Sequence, residues 1–224
     1  MEFYKYLKET KIFNMASEFE CQAMMFCFKT RFKNYLKNQE IIAQGDNVED
    51  VILVLKGSAI VKNVDNLGEI SVVRLLRQGD VYGLESAYNI DQLYKDSVVA
   101  NEKCLVMFMN RHRLITPCEN KCRRHEIVSK RLAQILAENN RELMDKITHM
   151  SKKTIRDKLL SYFTTIAERE NSTYFTIPYN KTELANYLSI DRSAMSTELS
   201  KMKAENLIDF DKNQYRVIKK IDKK

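Results

Sequence analysis

The sequence predicts a mixed α+β protein: an N-terminal β-roll of the jelly-roll or double-stranded β-helix kind, one long helix, and a C-terminal winged helix-turn-helix. Three observations carry this. All five glycines, Gly45, Gly57, Gly68, Gly79 and Gly83, fall within one 39-residue span between β-branched runs. Residues 119–150 hold an uninterrupted helical pattern with one narrow apolar stripe. Residues 180–202 read as two short helices around a tight break, followed by a hairpin.

In chain order, residues 4–36 read as helical. Leu7, Ile12 and Phe13 lead in, and Ser17 can cap a helix with Phe19, Ala23, Met24, Cys27 and Phe28 on its apolar face. The texture then changes to short strands at Ile41-Ile42, Val51–Leu55, Ala59–Val61 and Ile70–Val73, with more at Ser97–Ala100 and Cys104–Met109. The glycines between them supply turns with positive φ, and the spacing suits a roll that can enclose a small ligand. Pro117 closes this region. The long helix follows, with Val128, Leu132, Ile135, Asn139, Leu143, Ile147 and Met150 spaced by 4, 3, 4, 4, 4 and 3. A stripe this narrow, flanked by charge, predicts a seam with a second copy of the chain, with packing along the roll as the alternative.

Ser151 is the expected cap of the next helix, with Ile155, Leu159, Phe163 and Ile166 inward. A strand at Tyr174–Ile177 ends at Pro178. Asn180 with Glu183 makes a capping box, and Leu184, Ala185 and Leu188 form the first helix's apolar face. Ser189-Ile190 is the turn and Asp191 the second N-cap. Ala194, Met195, Leu199 and Met202 turn inward, which leaves Arg192, Ser193, Ser196, Thr197 and Ser200 outward. Such a face suits a major groove, because Arg can donate two hydrogen bonds to guanine and hydroxyls reach bases or phosphates. Strands at Leu207–Phe210 and Tyr215–Ile218 complete the wing. The domain boundaries expected are 1–117 for the sensing roll, 118–150 for the dimer helix and 151–224 for the DNA reader.

Composition narrows the function classes. The net charge is +7, and residues 151–224 hold 15 Lys+Arg against 10 Asp+Glu, a net +5 that suits a polyanion. No run approaches a membrane span, and MEFYKYLKETK lacks the apolar core of a signal peptide. With five cysteines, an odd number, this predicts a cytoplasmic protein without a disulfide framework. No metalloprotease, nucleophile-elbow, Walker or dinucleotide pattern occurs, and none of the three histidines sits beside a nucleophile and a carboxylate. The expectation is that the protein is not an enzyme.

With these pieces in order, the whole chain resembles the cyclic-AMP receptor protein / fumarate-nitrate regulator (Crp/Fnr) family. In the roll the resemblance rests on Gly45-Asp46, Leu55-Lys56-Gly57 and Gly79-Asp80-Val81-Tyr82-Gly83; in the reader, on Lys181-Thr182-Glu183-Leu184-Ala185 and Asp191-Arg192-Ser193-Ala194-Met195-Ser196. It implies a homodimer, a small-molecule effector in the roll, a palindromic operator on double-stranded DNA, and RNA polymerase as a partner. The implied DNA contacts are Lys181, Thr182, Asp191, Arg192, Ser193, Ser196, Thr197 and Lys201; the implied effector pocket is Gly83, Leu84, Glu85, Ser86, Tyr94 and Lys95. The alternative is a cyclic-nucleotide-binding regulatory protein acting through protein contacts.

Departures from the family pattern matter. Members that bind cyclic AMP hold its phosphate with Gly-Glu-Leu and with an Arg-Ser/Thr pair about eleven residues after that glycine. Here the first reads Gly83-Leu84-Glu85-Ser86, and the second is Tyr94-Lys95, which offers no bidentate fork. Cyclic AMP is therefore not the expected effector. Oxygen-sensing members place an iron–sulfur cluster on clustered N-terminal cysteines; here only Cys21 and Cys27 lie there, so the cluster is not expected either. Cys118, Cys122 and His125, at i, i+4 and i+7, share a helix face and form an incomplete metal or redox set. No metal is assigned to them. In the reader, Arg192 matches the family's guanine-reading arginine, whereas Ser193, Thr197 and Ser189 replace the common Glu, Arg and Gly. The chain also resembles clostridial members, some of which answer nitrosative stress, one through haem. The effector and any cofactor are otherwise unnamed by the sequence, with haem left open.

Overall fold

A computed structural model describes residues 3–88, 92–116 and 123–218. The chain divides into two compact units, Met1–Asn139 and Asn140–Lys224. No helix among the described residues is long and apolar enough to cross a membrane.

The first unit opens with α1 (Tyr4–Lys8) and α2 (Glu18–Cys27). Strands β1 (Arg31–Tyr35), β2 (Glu40–Ile42), β3 (Asp50–Lys56), β4 (Ala59–Val64), β5 (Ile70–Leu76) and β6 (Val81–Tyr82) follow. Then come α3 (Leu84–Ala87), β7 (Ser97–Ala100), β8 (Cys104–Asn110), α4 (Arg111–Ile115) and the helix α5 (Arg123–Met150), within which the division between units falls. The strands make two antiparallel four-stranded sheets, ordered β1-β8-β3-β6 and β2-β7-β4-β5. β3 is buried from Asp50 to Leu55 and pairs with β8 along nearly its whole length, so one apolar run forms the spine of the first sheet. Val61, Leu76, Val98 and Ala100 bring the second sheet into the same core.

Three sequence expectations change here. Residues 31–35 are a strand, not the end of a helix: after Phe28 the chain turns through Lys29 at φ 47°, and Arg31–Tyr35 pair with Cys104–Phe108. Long-range pairing overrides local helical spacing, as it commonly does. On α2 the buried residues are Cys21 and Met24, while Phe19 is 72% exposed. On α5, Val128, Leu132 and Ile135 belong to the core of the roll. That half of the predicted seam is therefore consumed within the chain, and Leu143 and Ile147 are exposed.

The second unit contains the end of α5, α6 (Ile155–Glu170), β9 (Tyr174–Thr176), α7 (Lys181–Leu188), α8 (Arg192–Ala204), β10 (Ile208–Asp211) and β11 (Gln214–Val217). Its sheet is ordered β10-β11-β9. Phe163 of α6 sits at the centre, with ring centroids 5.0 Å from Tyr215 and 6.1 Å from Phe175. The cap of α6 is Thr154, whose hydroxyl oxygen accepts from the Asp157 N–H at 3.0 Å; Ser151 instead donates to the Thr148 carbonyl. His149 is buried, with Nδ1 2.9 Å from Ser161 Oγ and its ring edge-on to Tyr162. Burial favours its neutral form and lowers its pKa, against the opposing pull of Asp145.

Two measurements test this description. Gly57 has φ +78°, and an added Cβ would stand 2.5 Å from the Lys103 carbonyl oxygen, whereas Gly68, at φ +82°, has open space around it. By urea unfolding, Gly68→Ala should cost about 1–2 kcal/mol from backbone strain alone, and Gly57→Ala clearly more. For His149, the unfolded chain binds the proton more readily than the folded one. Its contribution is thus complete above the ordinary imidazole pKa and is lost as pH falls below it. The melting temperature should drop between about pH 7 and pH 5, and His149→Gln should flatten that slope.

Candidate nucleic-acid interface

Helix α8 is fixed at its start, along its back and at its end. At its start, the Asp191 carboxylate accepts from the Ala194 N–H at 2.8 Å and from the Ser193 hydroxyl at 2.5 Å. The Ser193 and Ala194 hydrogen bonds hold its carboxyl below the usual range. Along its back, Met195, Leu199 and Met202 are fully buried. Arg156 of α6 reaches Glu198 through Nε at 2.5 Å and takes both carboxylate oxygens of Glu205 at 2.7 and 2.8 Å. This is the bidentate geometry only Arg provides. At its end, the α8 residue Lys203 donates to the Phe210 carbonyl at 3.1 Å and pairs with Asp209 at 2.7 Å, which ties the helix to the wing.

The turn before it is equally determined. The Asn180–Glu183 capping box closes at 2.9 Å in both directions. Ser189 takes the left-handed conformation at φ 51°, and Lys158 Nζ lies 3.3 and 3.4 Å from the carbonyls of Leu188 and Ser189. A cation on the C-terminal carbonyls of α7 compensates a turn made without glycine.

The outward face is where the sequence put it, with one refinement. Arg192, Ser193 and Thr197 are exposed and Ser196 is half-buried. Arg192 has no ion-pair or hydrogen-bond partner among the described residues, so its five donors are available. The Thr197 hydroxyl donates to the Ser193 carbonyl at 3.1 Å, and the hydroxyl of Ser200 to the Ser196 carbonyl at 3.0 Å. With those protons engaged, these hydroxyls face outward as acceptors. Asp191 is occupied as a cap. Lys181 and Thr182, at the start of α7, are exposed, and Lys181 lies 5.5 Å above the Phe210 ring. Lys201 is exposed on α8. Arg156 and Lys158 were not singled out from the sequence: the acidic partners of Arg156 lie 42 and 49 residues away and the carbonyl partners of Lys158 lie 30 and 31 away, so neither gave a local signal.

In the roll, Gly83 has φ 90°, and a Cβ there would stand 3.1 Å from the Tyr94 ring. Tyr94 is buried, donates to the Asp50 carbonyl and stacks at 6.4 Å on Tyr82. Burial pushes its pKa up to about 12. Leu84 and Ser86 are buried, while Glu85 and Lys95 are exposed. A cleft of about 410 Å³ beside Tyr94 is walled by Asp46, Glu49 and Asp50 and takes in none of the other five predicted pocket residues. The predicted effector residues therefore do not converge on that cleft. Cys118 and Cys122 lie outside the described residues. His125 is buried, with Nε2 3.8 Å from Cys27 Sγ and 3.3 Å from the Arg113 carbonyl, a thiol contact the sequence did not suggest.

Comparison with known proteins agrees with this geometry. A cyclic nucleotide-binding domain model matches residues 32–121, and a Crp-like helix-turn-helix domain model matches residues 157–223. Together the two span well over half of the chain. The transcriptional activator protein FnrL of Cereibacter sphaeroides is 21% identical over 84% of this chain and 76% of its own length. Among solved structures, FixK2 of Bradyrhizobium japonicum is similar with TM-score 0.66 and 18% identity, covering 84% of this chain and 92% of that one. A CooA mutant of Carboxydothermus hydrogenoformans gives TM-score 0.69 at 16% identity, covering 87% and 86%. These relatives lend no support to the narrower clostridial resemblance. An N-terminal cyclic nucleotide-binding domain followed by a Crp-like helix-turn-helix on one chain shows that this protein belongs to the Crp/Fnr family of DNA-binding transcriptional regulators.

Proposed function

We propose that the protein is a cytoplasmic homodimer that reads a palindromic operator through α8 and takes its signal in the roll. The observation that carries the DNA-reading assignment is Arg192: it is exposed beside the N-cap of a helix fixed along its length, with no partner among the described residues. Such an arginine is suited to a bidentate contact with guanine, with Ser193, Ser196 and Thr197 accepting from neighbouring bases or touching phosphate. Lys181, Thr182 and Lys201 are suited to the phosphate backbone, which fixes position without reading sequence. A regulatory protein working only through protein contacts would have no use for this exposed, capped helix.

Members of the family bind DNA and typically act as dimers. The exposed residues Ala133, Ala137, Asn140, Met144 and Ile147 of α5 recur at steps of four, three, four and three. That is heptad spacing on the side away from Val128, Leu132 and Ile135, and we assign the partner seam to it. Half-sites about 34 Å apart, one helical turn, follow from a two-fold dimer. An effector would shift the population of dimers whose helices match that spacing, with RNA polymerase as the downstream partner. Cyclic AMP is disfavoured as the effector, because Tyr94 fills the space beside Gly83.

Two experiments test the reading. In gel shifts with DNA upstream of the chain's own gene, Arg192→Ala should cost about 1–3 kcal/mol and relax one base position per half-site. Lys181→Ala should instead weaken all sequences alike and flatten the salt dependence; an identical, sequence-blind loss from both would overturn the division of roles. By sedimentation, Met144→Glu should weaken the dimer by about tenfold or more while leaving the fold intact. A dimer of unchanged strength would move the seam elsewhere.

A further inference from the structure

Two charged side chains are buried among the described residues, Asp50 and Arg74. Asp50 is paired with Arg31. Arg74 has no carboxylate within ion-pair reach among the described residues. Its position is fixed by the sheet: it stands opposite Val61 across β4–β5 and two residues before Leu76, and both neighbours belong to the roll's core. Directly opposed residues, and residues two apart on a strand, share a face, so Arg74 enters the roll from its inner side. There Nη2 donates to the Val81 carbonyl at 2.7 Å, and the other donors of the guanidinium find no acceptor among the described residues. The nearby Asp96 carboxylate is taken by Asn63 at 3.0 Å and by the Tyr82 hydroxyl at 3.3 Å. Ser86, on the short helix that leaves β6, is also buried, and its hydroxyl makes no hydrogen bond among the described residues.

A guanidinium cannot shed its proton to escape burial. One backbone hydrogen bond does not offset the loss of its hydration. A planar fork of donors held without a counter-charge on the inner face of a roll is suited to a carboxylate or phosphate. We infer that the roll binds a small organic anion whose carboxylate or phosphoryl oxygens take the guanidinium of Arg74 beside Tyr82. This deepens, and rests on, the sensing role proposed for the roll. The charge enters from β5, not from the segment after Gly83 where cyclic-AMP-binding relatives carry their arginine, so the ligand is held from a different wall.

The test uses the full chain and its Arg74→Met variant. Melting is followed with about 10 mM benzoate, phenyl phosphate or inorganic phosphate against chloride at equal ionic strength, and native mass spectrometry looks for an anion retained through purification. Support is a rise of about 2 °C or more with at least one probe, or a retained organic anion, either being lost in Arg74→Met. The carboxylate and phosphate arms separate the two ligand sources. Without anion, Arg74→Met should melt at or above the parent temperature, because an uncompensated charge has been removed. If that variant fails to fold, Arg74→Lys, which keeps the charge and loses the fork, should reduce the response at least severalfold. No response and no retained anion in the parent, or an undiminished response in the variant that folds, overturns the inference. A gel shift on the same samples keeps the two readings apart: operator binding with no anion effect sinks this inference alone, and absence of DNA binding by the parent sinks the regulator reading.

Discussion

The DNA-reading end depends on how α8 is held from behind. Three buried side chains, Met195, Leu199 and Met202, give it a floor. Arg156 adds direction, since its planar fork engages Glu205 with two nitrogens and Glu198 with the third. Apolar packing alone leaves a short helix free to roll on its axis, because methionine and leucine tolerate sliding. A three-point guanidinium contact does not. Arg156 thus helps fix the rotation of the helix whose exposed face carries Arg192, the residue proposed to read a base. Glu205 responds in kind, its carboxyl held below the ordinary range by that hydrogen bond.

Much of this was legible in the sequence, and the reasons differ by element. The capping box at Asn180–Glu183 and the Asp191 cap are local chemistry, in which partners sit three residues apart, so spacing alone reveals them. The strands of the roll showed as β-branched runs between glycines, and β3, β7 and β8 lie where those runs put them. What failed was long-range. Strand β1 has no strand-like alternation and exists because β8 pairs with it. The cap of α6 moved from Ser151 to Thr154, since both are good caps and only the path of the chain decides between them. The first part of the stripe on α5, Val128, Leu132 and Ile135, packs into the roll, and periodicity does not say which of two neighbours a stripe serves.

In the roll, residue identity was easier to read than geometry. Where cyclic-AMP-binding relatives carry an arginine the chain has Tyr94, and the structure shows what that residue does here: its ring occupies the space beside Gly83 and its hydroxyl donates to the Asp50 carbonyl. The contact of Cys27 with His125 joins residues 98 positions apart and left no trace in local sequence. Arg74 passed unnoticed because the β-branched run read as a strand, Ile70–Val73, stops one residue short of it. Only its pairing with Val61 turns it inward.

The two-sided character of α5 carries one more consequence. Val128, Leu132 and Ile135 face the roll, and Ala133 and Ala137 look the other way from the next turns of the same rod. A disturbance at the first set has only the thickness of one helix, about 10 Å, to cross before it is felt at the second. No relay of intervening side chains is required, for a rigid cylinder that rolls against one neighbour must turn against whatever touches its far side. At the seam proposed for that far edge, alanines would allow close approach, so a small rotation would be translated into a large change of fit.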